Sequence, residues 1–517
     1  MVRKISTIVL LSPLLSIPSL LYSQNSTSGA VAGTVKDPSE AVVRGATVTL
    51  VQPATNLTQP SYSDAGGRYV FPAVAPGSYT LSFSASGFRK TIINNLQVEV
   101  TKTSIVDQTL KVGSADETIK GTAPAITQLQ VTDASVGAVL SGTELNRMPI
   151  LGRSAAQLIF LQPAVAPNDP QNVDGSGDVG GGQIAGARSE QVTFTVDGGD
   201  ATSNLEGSNA YNSPDRESPA VSPVVPVPQD SVDAFRVITN NPNSTFGRSS
   251  GGQVSFITKS GTDNIHGALY EYHGDDGLDA NSWSNDLLNI TKPPSVDNRF
   301  GVSIGGPIIT NKLFYYAFYE GRRFHDRAQF EKIVPTDTLK KGILQVDGVS
   351  YNLNPVNGPL AANCGAAQNL PCDPRNLGVS PVIMAQLALY PTGNDPSQND
   401  GPTTATSNVT GFALLVATPI TTDVSKLKLN YTLNSKWSAF ATWQYSSTHR
   451  ASTDQIDILG TPKAVSGDPY YADFYTLQVD GQINPNFLAT THGSFLRIGG
   501  VGCGPRHTHS SRARMRP

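Results

Sequence analysis

The stretch FGRSSGGQVSFITKSGTDNIHGALYEYH, residues 246–273, decides how the rest of the chain is interpreted. Its opening glycines precede a β-branched and aromatic run at 253–259 that predicts a strand. A polar turn at 260–264 follows, and then a second predicted strand with aromatics at Tyr270 and Tyr272. Glycines ahead of a strand mark close backbone approach, and the aromatic pair is typical of a strand that meets a different solvent. The stretch therefore predicts a junction between two architectures.

The composition favours a mainly β protein. A chain of 517 residues has room for several domains, and its net charge of −4 gives no reason to expect nucleic acid as a partner. Charged residues make up 15% of it, and 48 glycines with 36 prolines favour short strands joined by turns over long helices.

Residues 1–23 predict an export signal. Arg3 and Lys4 precede an apolar run at 8–21, and the pattern favours cleavage after Ser23. The alternative is an N-terminal anchor helix, but prolines interrupt the run and it is short for a membrane span. No later window is apolar for long enough to form a transmembrane helix, so the chain would reach a membrane only as strands.

The cysteines agree with export. Cys364 and Cys372 stand close together in a segment rich in Pro, Asn and Gly, a spacing that suits a disulfide in an oxidising compartment. Two unpaired thiols are the alternative at this stage. Cys503 is left over near the C-terminus.

Two segments with different sequence patterns precede the junction. Residues 24–112 contain short alternating runs, such as 46–51 and 79–83, separated by turn residues, which predicts a small β-sandwich. Residues 114–264 instead mix helix-compatible pieces with strands too short to be stable alone, so this segment must be packed inside something. No histidine precedes His266, which excludes a His-based zinc site or a serine triad from the first half.

The first segment, residues 24–112, resembles the carboxypeptidase regulatory-like domain. The motifs that carry the resemblance are GTVKD at 33–37, GATV at 45–48, DAGGRY at 64–69 and PGSYTL at 76–81. The resemblance implies a transthyretin-like sandwich, also classed as a carbohydrate-binding-like fold, without catalytic activity.

The next motifs resemble TonB-dependent outer-membrane receptors. Those similar to the plug domain are LGRS at 151–154, TVDG at 195–198, VDAFRV at 232–237 and FGRSSGG at 246–252. Those similar to the barrel entry of the Oar-like branch are TKSGT at 258–262 and RFGVSIGGPII at 299–309. The fold class implied is mainly β, with a transthyretin-like sandwich, an α/β plug domain and the start of an incomplete outer-membrane β-barrel. The domains expected are the signal at 1–23, the sandwich at 24–112, the plug at 114–264, a partial barrel at 265–498 and an anomalous tail at 499–517.

The same resemblance implies a TonB-box region at 116–123, where an energy-coupling protein binds. Lys120 and Gly121 take positions that β-branched residues usually fill. The candidate residues are Glu117, Thr118, Ile119, Thr122 and Ala123.

Alternation after the junction fits a barrel wall. Residues 437–445 place Trp437, Trp443 and Tyr445 on one face, and the aromatic run at 314–319 predicts an interfacial girdle. A soluble β-sandwich would show the same alternation. The family barrel has about 22 strands of roughly ten residues each, more than this chain can supply after His266. The basic, strandless tail at 499–517 is interpreted as out-of-frame sequence in a truncated copy.

Other candidate sites are weak. GSGDVG at 175–180 matches a dinucleotide fingerprint but follows a loop where a strand is required. His266 and His273 are an odd number of residues apart and would face opposite sides of one strand, so they cannot share a metal. A third cluster, Asp275, Asp276, Asp279 and Asn281, fits either a calcium loop or a solvated turn. No catalytic set remains, which predicts a protein that is not an enzyme and needs no cofactor.

The leading hypothesis is an outer-membrane TonB-dependent receptor that takes up an unidentified small molecule, sugar or peptide. Its expected partners are an inner-membrane TonB-type energy-coupling protein and outer-membrane lipid. The alternative is a secreted or surface protein that binds carbohydrate or protein without transport. A third possibility is a non-functional product of a broken reading frame.

Overall fold

The structure is a computed structural model, and its described residues are 27–113, 118–122, 135–148, 153–166, 183–187, 191–202, 223–242, 247, 250–281, 283, 286, 291–325, 327–347, 349–355, 364–365, 370–398, 407–456, 464–484 and 487–500. The predicted export signal and residues 501–517 of the predicted tail lie outside them. In the described part of the chain, no helix is long and apolar enough to cross a membrane.

Two sheets form the N-terminal sandwich. Its strands are β1 (Gly29–Lys36), β2 (Thr47–Gln52), β3 (Leu57–Tyr62), β4 (Arg68–Val74), β5 (Gly77–Ser84), β6 (Lys90–Val98), β7 (Thr103–Ile105), β8 (Gln108–Thr109) and β9 (Thr118–Thr122). One sheet has the order β4-β1-β7, with β8 also on β1, and the other has the order β3-β2-β5-β6-β9.

Alternating burial holds the two sheets together. In β5, Tyr79, Leu81 and Phe83 are buried while the residues between them are not. The Tyr69 ring meets Phe83 edge to face at 5.6 Å between centroids, a favoured aromatic geometry. The predicted β-sandwich is therefore confirmed.

A second unit, called the inner domain (residues 136–258), follows. Its elements are β10 (Val136–Ser141), α1 (Gly142–Arg147), a 3₁₀ turn (Ala155–Leu161), β11 (Val165–Ala166), β12 (Gln183–Ile184), β13 (Thr193–Val196), β14 (Gly199–Asp200), a 3₁₀ turn (Gln229–Ser231), β15 (Val232–Asn240) and β16 (Gln253–Thr258). The main sheet has the order β10-β15-β16-β13-β14. Every residue of β13 and β16 is buried, so these strands have no solvent face. The helix-compatible pieces in the sequence correspond to α1 and the first 3₁₀ turn.

The remaining elements form a large curved sheet and an appended cap. They are β17 (His266–Asp275), a 3₁₀ turn (Asp276–Leu278), β18 (Val296–Ile309), β19 (Leu313–His325), β20 (Arg327–Pro335), α2 (Asp337–Lys340), β21 (Ile343–Val346), β22 (Val349–Asn352), α3 (Pro381–Leu387), β23 (Val409–Ala417), β24 (Ile420–Thr432), β25 (Trp437–Ile456), β26 (Ala464–Asn484) and β27 (Phe487–Gly500). The curved sheet, called the wall, has the antiparallel order β17-β18-β19-β24-β25-β26-β27. Among the described residues the wall is not closed, because β17 and β27 are its two edges.

The wall has a polar inner face and an apolar outer face. In β25, Thr442, Gln444, Ser446 and Thr448 are buried against the inner domain, while the residues between them point outward. The outward side chains of the wall include large exposed hydrophobics: Leu269, Phe300, Val302, Ile304, Ile308, Leu427, Tyr431, Tyr475, Leu477, Ile483, Phe487 and Phe495. The inner face also carries buried aromatic residues, so the distinctive feature of the wall is its exposed apolar outer face.

The two ends of the wall differ in their connections. At one end, the short-turn end, β18 joins β19 and β24 joins β25 through a few residues each. At the other end, the long-loop end, the described residues between β19 and β24, from 327 to 419, form the cap. The sandwich lies at the short-turn end, because Asp263 binds both Ala54 of the sandwich and Asn311 of the β18–β19 turn.

One predicted feature of the wall is corrected. The aromatic run at 314–319 does not face lipid as a unit, because alternate residues of a strand point to opposite faces. Phe314, Tyr316 and Phe318 are buried on the inner face, and only Tyr315 and Tyr319 point outward. The predicted common face of Trp437, Trp443 and Tyr445 does point outward.

Candidate functional site

The strongest candidate site is the contact between the inner domain and the wall, with Asp197 at its centre. Asp197 lies in the turn between β13 and β14 and has a φ of 46°. Its neighbour Gly199 approaches the wall closely: a Cβ there would stand 2.4 Å from Thr476 Cγ2 and 2.6 Å from Phe474 Cζ. Phe474 belongs to β26 but is part of the hydrophobic core of the inner domain. The sequence TVDGG therefore builds a turn that fits tightly against the wall.

The Asp197 carboxylate accepts hydrogen bonds from both units. Within the inner domain, the Thr258 amide donates at 3.0 Å and the Thr258 hydroxyl at 2.6 Å. From the wall, Lys428 Nζ donates at 3.0 Å and Thr442 Oγ1 at 3.1 Å. Lys428 Nζ also donates to the Thr258 carbonyl at 3.0 Å. One carboxylate thus joins two strands of the inner domain to two strands of the wall.

Burial makes this ion pair costly to break. The side chains of Asp197 and Lys428 are 1% and 5% exposed. Burial by itself would raise the pKa of Asp197, but Lys428, Lys426 and the Thr258 hydrogen bonds outweigh it and hold that pKa below its ordinary value. Removing one partner of a buried pair costs about 3–5 kcal/mol, because the other charge remains buried without compensation.

A second charged cluster joins the two units nearer the long-loop end. Arg153 Nη2 lies 2.7 Å from Asp230 Oδ2, and the Arg153 guanidinium stacks 3.7 Å from the centre of the Tyr272 ring. Tyr270 donates to Glu320 at 2.7 Å. Asp230 holds Arg153 within the inner domain. Arg153 therefore anchors that domain to the first strand of the wall by stacking on Tyr272.

A narrow crevice lies beside Arg153. It lies between the inner domain and the wall, and Arg299, Glu320 and Arg322 are among its lining residues. Arg322 binds Asp297 through two nitrogens at 2.9 Å each. The crevice is thus charged on both sides, and its arginines are already oriented by acidic partners.

The candidate TonB-box residues fall partly on β9. Residues 118–122 form that strand and pair in parallel with β6, with Thr118 opposite Lys90 and Thr122 opposite Asn94. β9 is the edge strand of the sandwich sheet, so this segment belongs structurally to the sandwich. Glu117 and Ala123 lie outside the described residues.

The other predicted sites hold no chemistry in the described residues. Lys292 Nζ donates to the carbonyls of Asp276 and Asp279, so an ammonium occupies the turn considered for calcium. The part of the chain that the structure describes contains no cluster of metal ligands. Residues 175–180 lie outside it. In the cap, a disulfide joins Cys364 and Cys372, whose Cα atoms are 5.0 Å apart; its presence in solution stays a prediction.

Sequence reasoning missed the residues that contact Asp197. Lys426 and Lys428 alternate with outward apolar residues in KLKLN, and a polar inward face was expected, but the sequence does not identify what a buried lysine faces. Asp263, which binds Asn56 of the sandwich at 3.0 Å, was assigned only to a polar turn.

Comparison with known proteins agrees with these observations. The family described as "Outer membrane beta barrel domain" matches residues 257–513, and the family described as "Carboxypeptidase regulatory-like domain" matches residues 30–111. The TonB-dependent transporter Oar of Myxococcus xanthus is 26% identical over 309 residues, which are 58% of this chain and 27% of that protein. The chain thus spans about a quarter of the length of this curated relative.

Solved structures of outer-membrane proteins are also similar. The outer membrane transporter YddB from Escherichia coli is 13% identical, with 70% of this chain and 39% of that chain covered and a TM-score of 0.41. The siderophore receptor PirA from Pseudomonas aeruginosa is 13% identical, with 70% and 50% covered and a TM-score of 0.31.

The alternating pattern of the sequence fits either a barrel wall in lipid or a soluble β-sandwich, and the outward face of the wall distinguishes between them. Leu477, Ile308 and Phe487 are each 56% exposed, and large apolar side chains are exposed on the outer face of strands from β17 to β27. A surface of this kind requires lipid, as the matched barrel family implies. The chain is accordingly an outer-membrane protein, homologous to the TonB-dependent transporter Oar, with a carboxypeptidase regulatory-like domain and an outer membrane β-barrel domain.

Proposed function

We propose that this chain acts as a TonB-dependent transporter, in which the wall belongs to the barrel and the inner domain is the plug. The observation that carries the proposal is the polar contact at Asp197, which fixes an enclosed domain to the inner face of a wall whose outer face is apolar. A soluble binding protein would not be expected to combine an enclosed domain with an apolar outer face. The substrate class stays open among small molecules, sugars and peptides.

The geometry suggests how transport would proceed. The short-turn end corresponds to the periplasm and the long-loop end to the exterior, because barrels of this kind have short periplasmic turns. The plug blocks the lumen as long as Asp197 keeps its ion pair with Lys428 and Arg153 keeps its stacking contact with Tyr272. Transport then requires work from an inner-membrane energy-coupling protein to loosen these contacts.

Residues 117–123 are the proposed coupling segment. The location of residues 118–122 at the short-turn end and the edge position of β9 support this role, since an edge strand can pair with a strand from another protein. A partner strand would either add to the free side of β9 or replace β6. Either event applies force to the chain just before the plug begins.

Binding to the coupling partner tests this function without knowledge of the substrate. The full chain is purified in detergent micelles, and its affinity for the periplasmic domain of a TonB-type protein is measured for Ile119→Pro and for the matched control Ile119→Thr. Proline removes a ladder hydrogen bond, so we expect at least tenfold weaker binding, whereas threonine keeps the strand and the affinity. Equal affinity of the two variants, or no binding by the unaltered chain, would overturn the proposal.

The environment is tested separately by fractionation of cells that express the chain. We expect recovery with the outer membrane and release only by detergent. Release into the soluble periplasmic fraction would instead support the secreted binding protein.

A further inference from the structure

Two lysines of the wall face the single carboxylate of Asp197. Lys426 and Lys428 are alternate residues of β24, so both point inward, and they are 2% and 4% exposed. Lys428 Nζ holds Asp197 and the Thr258 carbonyl. Lys426 Nζ is buried without a hydrogen-bond partner among the described residues. One of the two buried ammonium groups thus interacts with Asp197 through charge alone and makes no hydrogen bond to the described residues.

A buried ammonium without a partner is costly, and an apolar residue would avoid the cost. The side chains opposite Lys426 in the ladder are Phe318 and Gln444, neither of which carries charge. Asp197 is the only acid whose charge acts on Lys426 within the described residues. The presence of a lysine here is thus explained if it pairs with Asp197 in another arrangement.

The spacing of β24 permits that arrangement. Two residues along a strand advance about 7 Å, and the long side chain of lysine can cover much of that distance. Lys426 lies nearer the exterior than Lys428, since β24 runs from the cap at Ile420 to the short turn after Thr432. A plug turn that moves outward by one such step would leave Lys428 and meet Lys426.

We propose that Asp197 is the positioning residue that fixes the plug to the barrel wall, and that Lys426 is a second partner for the same carboxylate one step toward the exterior. This inference rests on the proposed transport function. The plug turn then has two positions along β24, and in each of them the Asp197 carboxylate has a lysine partner. The turn can therefore move between the two positions without leaving that buried carboxylate unpaired. Lys428 holds the observed position, and Lys426 holds the displaced one.

Hydrogen exchange of the β13–β14 amides in the full chain, in detergent micelles, tests the proposal. The variants are Lys428→Met, Lys426→Met and the double variant, with exposed Lys436→Met as the matched control. We expect Lys428→Met to raise the exchange rate only about fivefold, because Lys426 takes over, and Lys426→Met to change it by less than twofold. In the double variant the rise in exchange rate should exceed the product of the two single effects by at least tenfold, because substitutions of two residues that interact with the same group are not additive.

The outcomes separate the inference from simpler roles. Two results would show that Lys426 does not share Asp197. One is an exchange rate in the double variant that equals the product of the single effects. The other is a large rise in exchange rate on Lys426→Met whether or not Lys428 is present. Lys428→Arg keeps the charge and should restore near-normal exchange, which excludes misfolding as the cause. Hydrogen exchange is measured without the coupling partner. If the two lysine substitutions are non-additive but the chain does not bind the coupling protein, the proposed transport function is wrong and the shared role of the lysines still holds.

Discussion

Asp197 and Gly199 lie in one tight turn of the plug, and the wall explains the identity of both. Asp197 is needed as an acceptor for donors from two wall strands, and Gly199 because any side chain would collide with β26. Neither requirement is visible from local sequence, which shows only a turn signal in VDGG. The residue types were recognisable as turn residues, but their wall partners are more than 200 positions away in the chain.

The titration of Asp197 gives a first prediction. Its folded pKa lies below the ordinary 3.8, so its contribution to stability is complete above that value and is lost as the pH falls through the folded pKa. Lys428 and Lys426 of the wall favour its charged form. We expect urea unfolding to show a larger loss of stability between about pH 5 and pH 2 in the unaltered chain than in Asp197→Asn. Parallel losses in both proteins would contradict the assignment.

Gly199→Ala tests the close fit of the same turn. The added methyl group must displace Thr476 or Phe474, and overpacking of this kind costs about 1–3 kcal/mol. We expect the free energy of unfolding to fall by that amount and exchange to rise at β13 and β14. The control is Gly247→Ala, where a Cβ would meet nothing within 4 Å. A loss of stability in the control equal to that in Gly199→Ala would show that the close fit is not the cause.

At the scale of elements, the sandwich is more than an N-terminal appendage. Val100, just after β6, is fully buried and packs with Ala234 and Ile257 of the plug. Arg236 of the plug donates to the Val100 carbonyl at 2.9 Å. Periodicity was sufficient to predict the strands of the sandwich, because alternation is local, but a docking residue at a strand end carries no such pattern.

Val100→Asp should therefore detach the sandwich from the plug. A carboxylate at this position would be buried against Ala234 and Ile257, and the guanidinium of Arg236 is already bound to the Val100 carbonyl. We expect faster hydrogen exchange at β15 and β16 while the sandwich core keeps its protection. The matched control is Val42→Asp, at a site 48% exposed in the same domain. Unchanged exchange in β15 and β16 would mean that Val100 does not dock the two units.

At the scale of the whole molecule, the fold inverts the usual distribution of polarity. Alternation predicted which residues share a face, as in Trp437, Trp443 and Tyr445, but it did not distinguish lipid from solvent. That distinction arises because the inner face packs against the inner domain, a contact that only the three-dimensional structure shows. The interpretation of 314–319 as a girdle failed for a local reason: alternate residues of the strand point to opposite faces, and half of that run packs inward.

A matched pair of exposed leucines tests the environment of the wall. Leu477 is 56% exposed on the outer face of β26, and Leu377 is 74% exposed in the cap. In water, arginine at either position would be nearly neutral. In a bilayer, arginine near the midplane of a barrel costs about 2–4 kcal/mol, whereas a cap residue outside the hydrocarbon is unaffected. We expect Leu477→Arg to lower the free energy of unfolding in lipid vesicles by that amount and to reduce recovery in the outer membrane, while Leu377→Arg changes neither. Equal and small effects of the two substitutions would place the outer face of β26 in water rather than lipid.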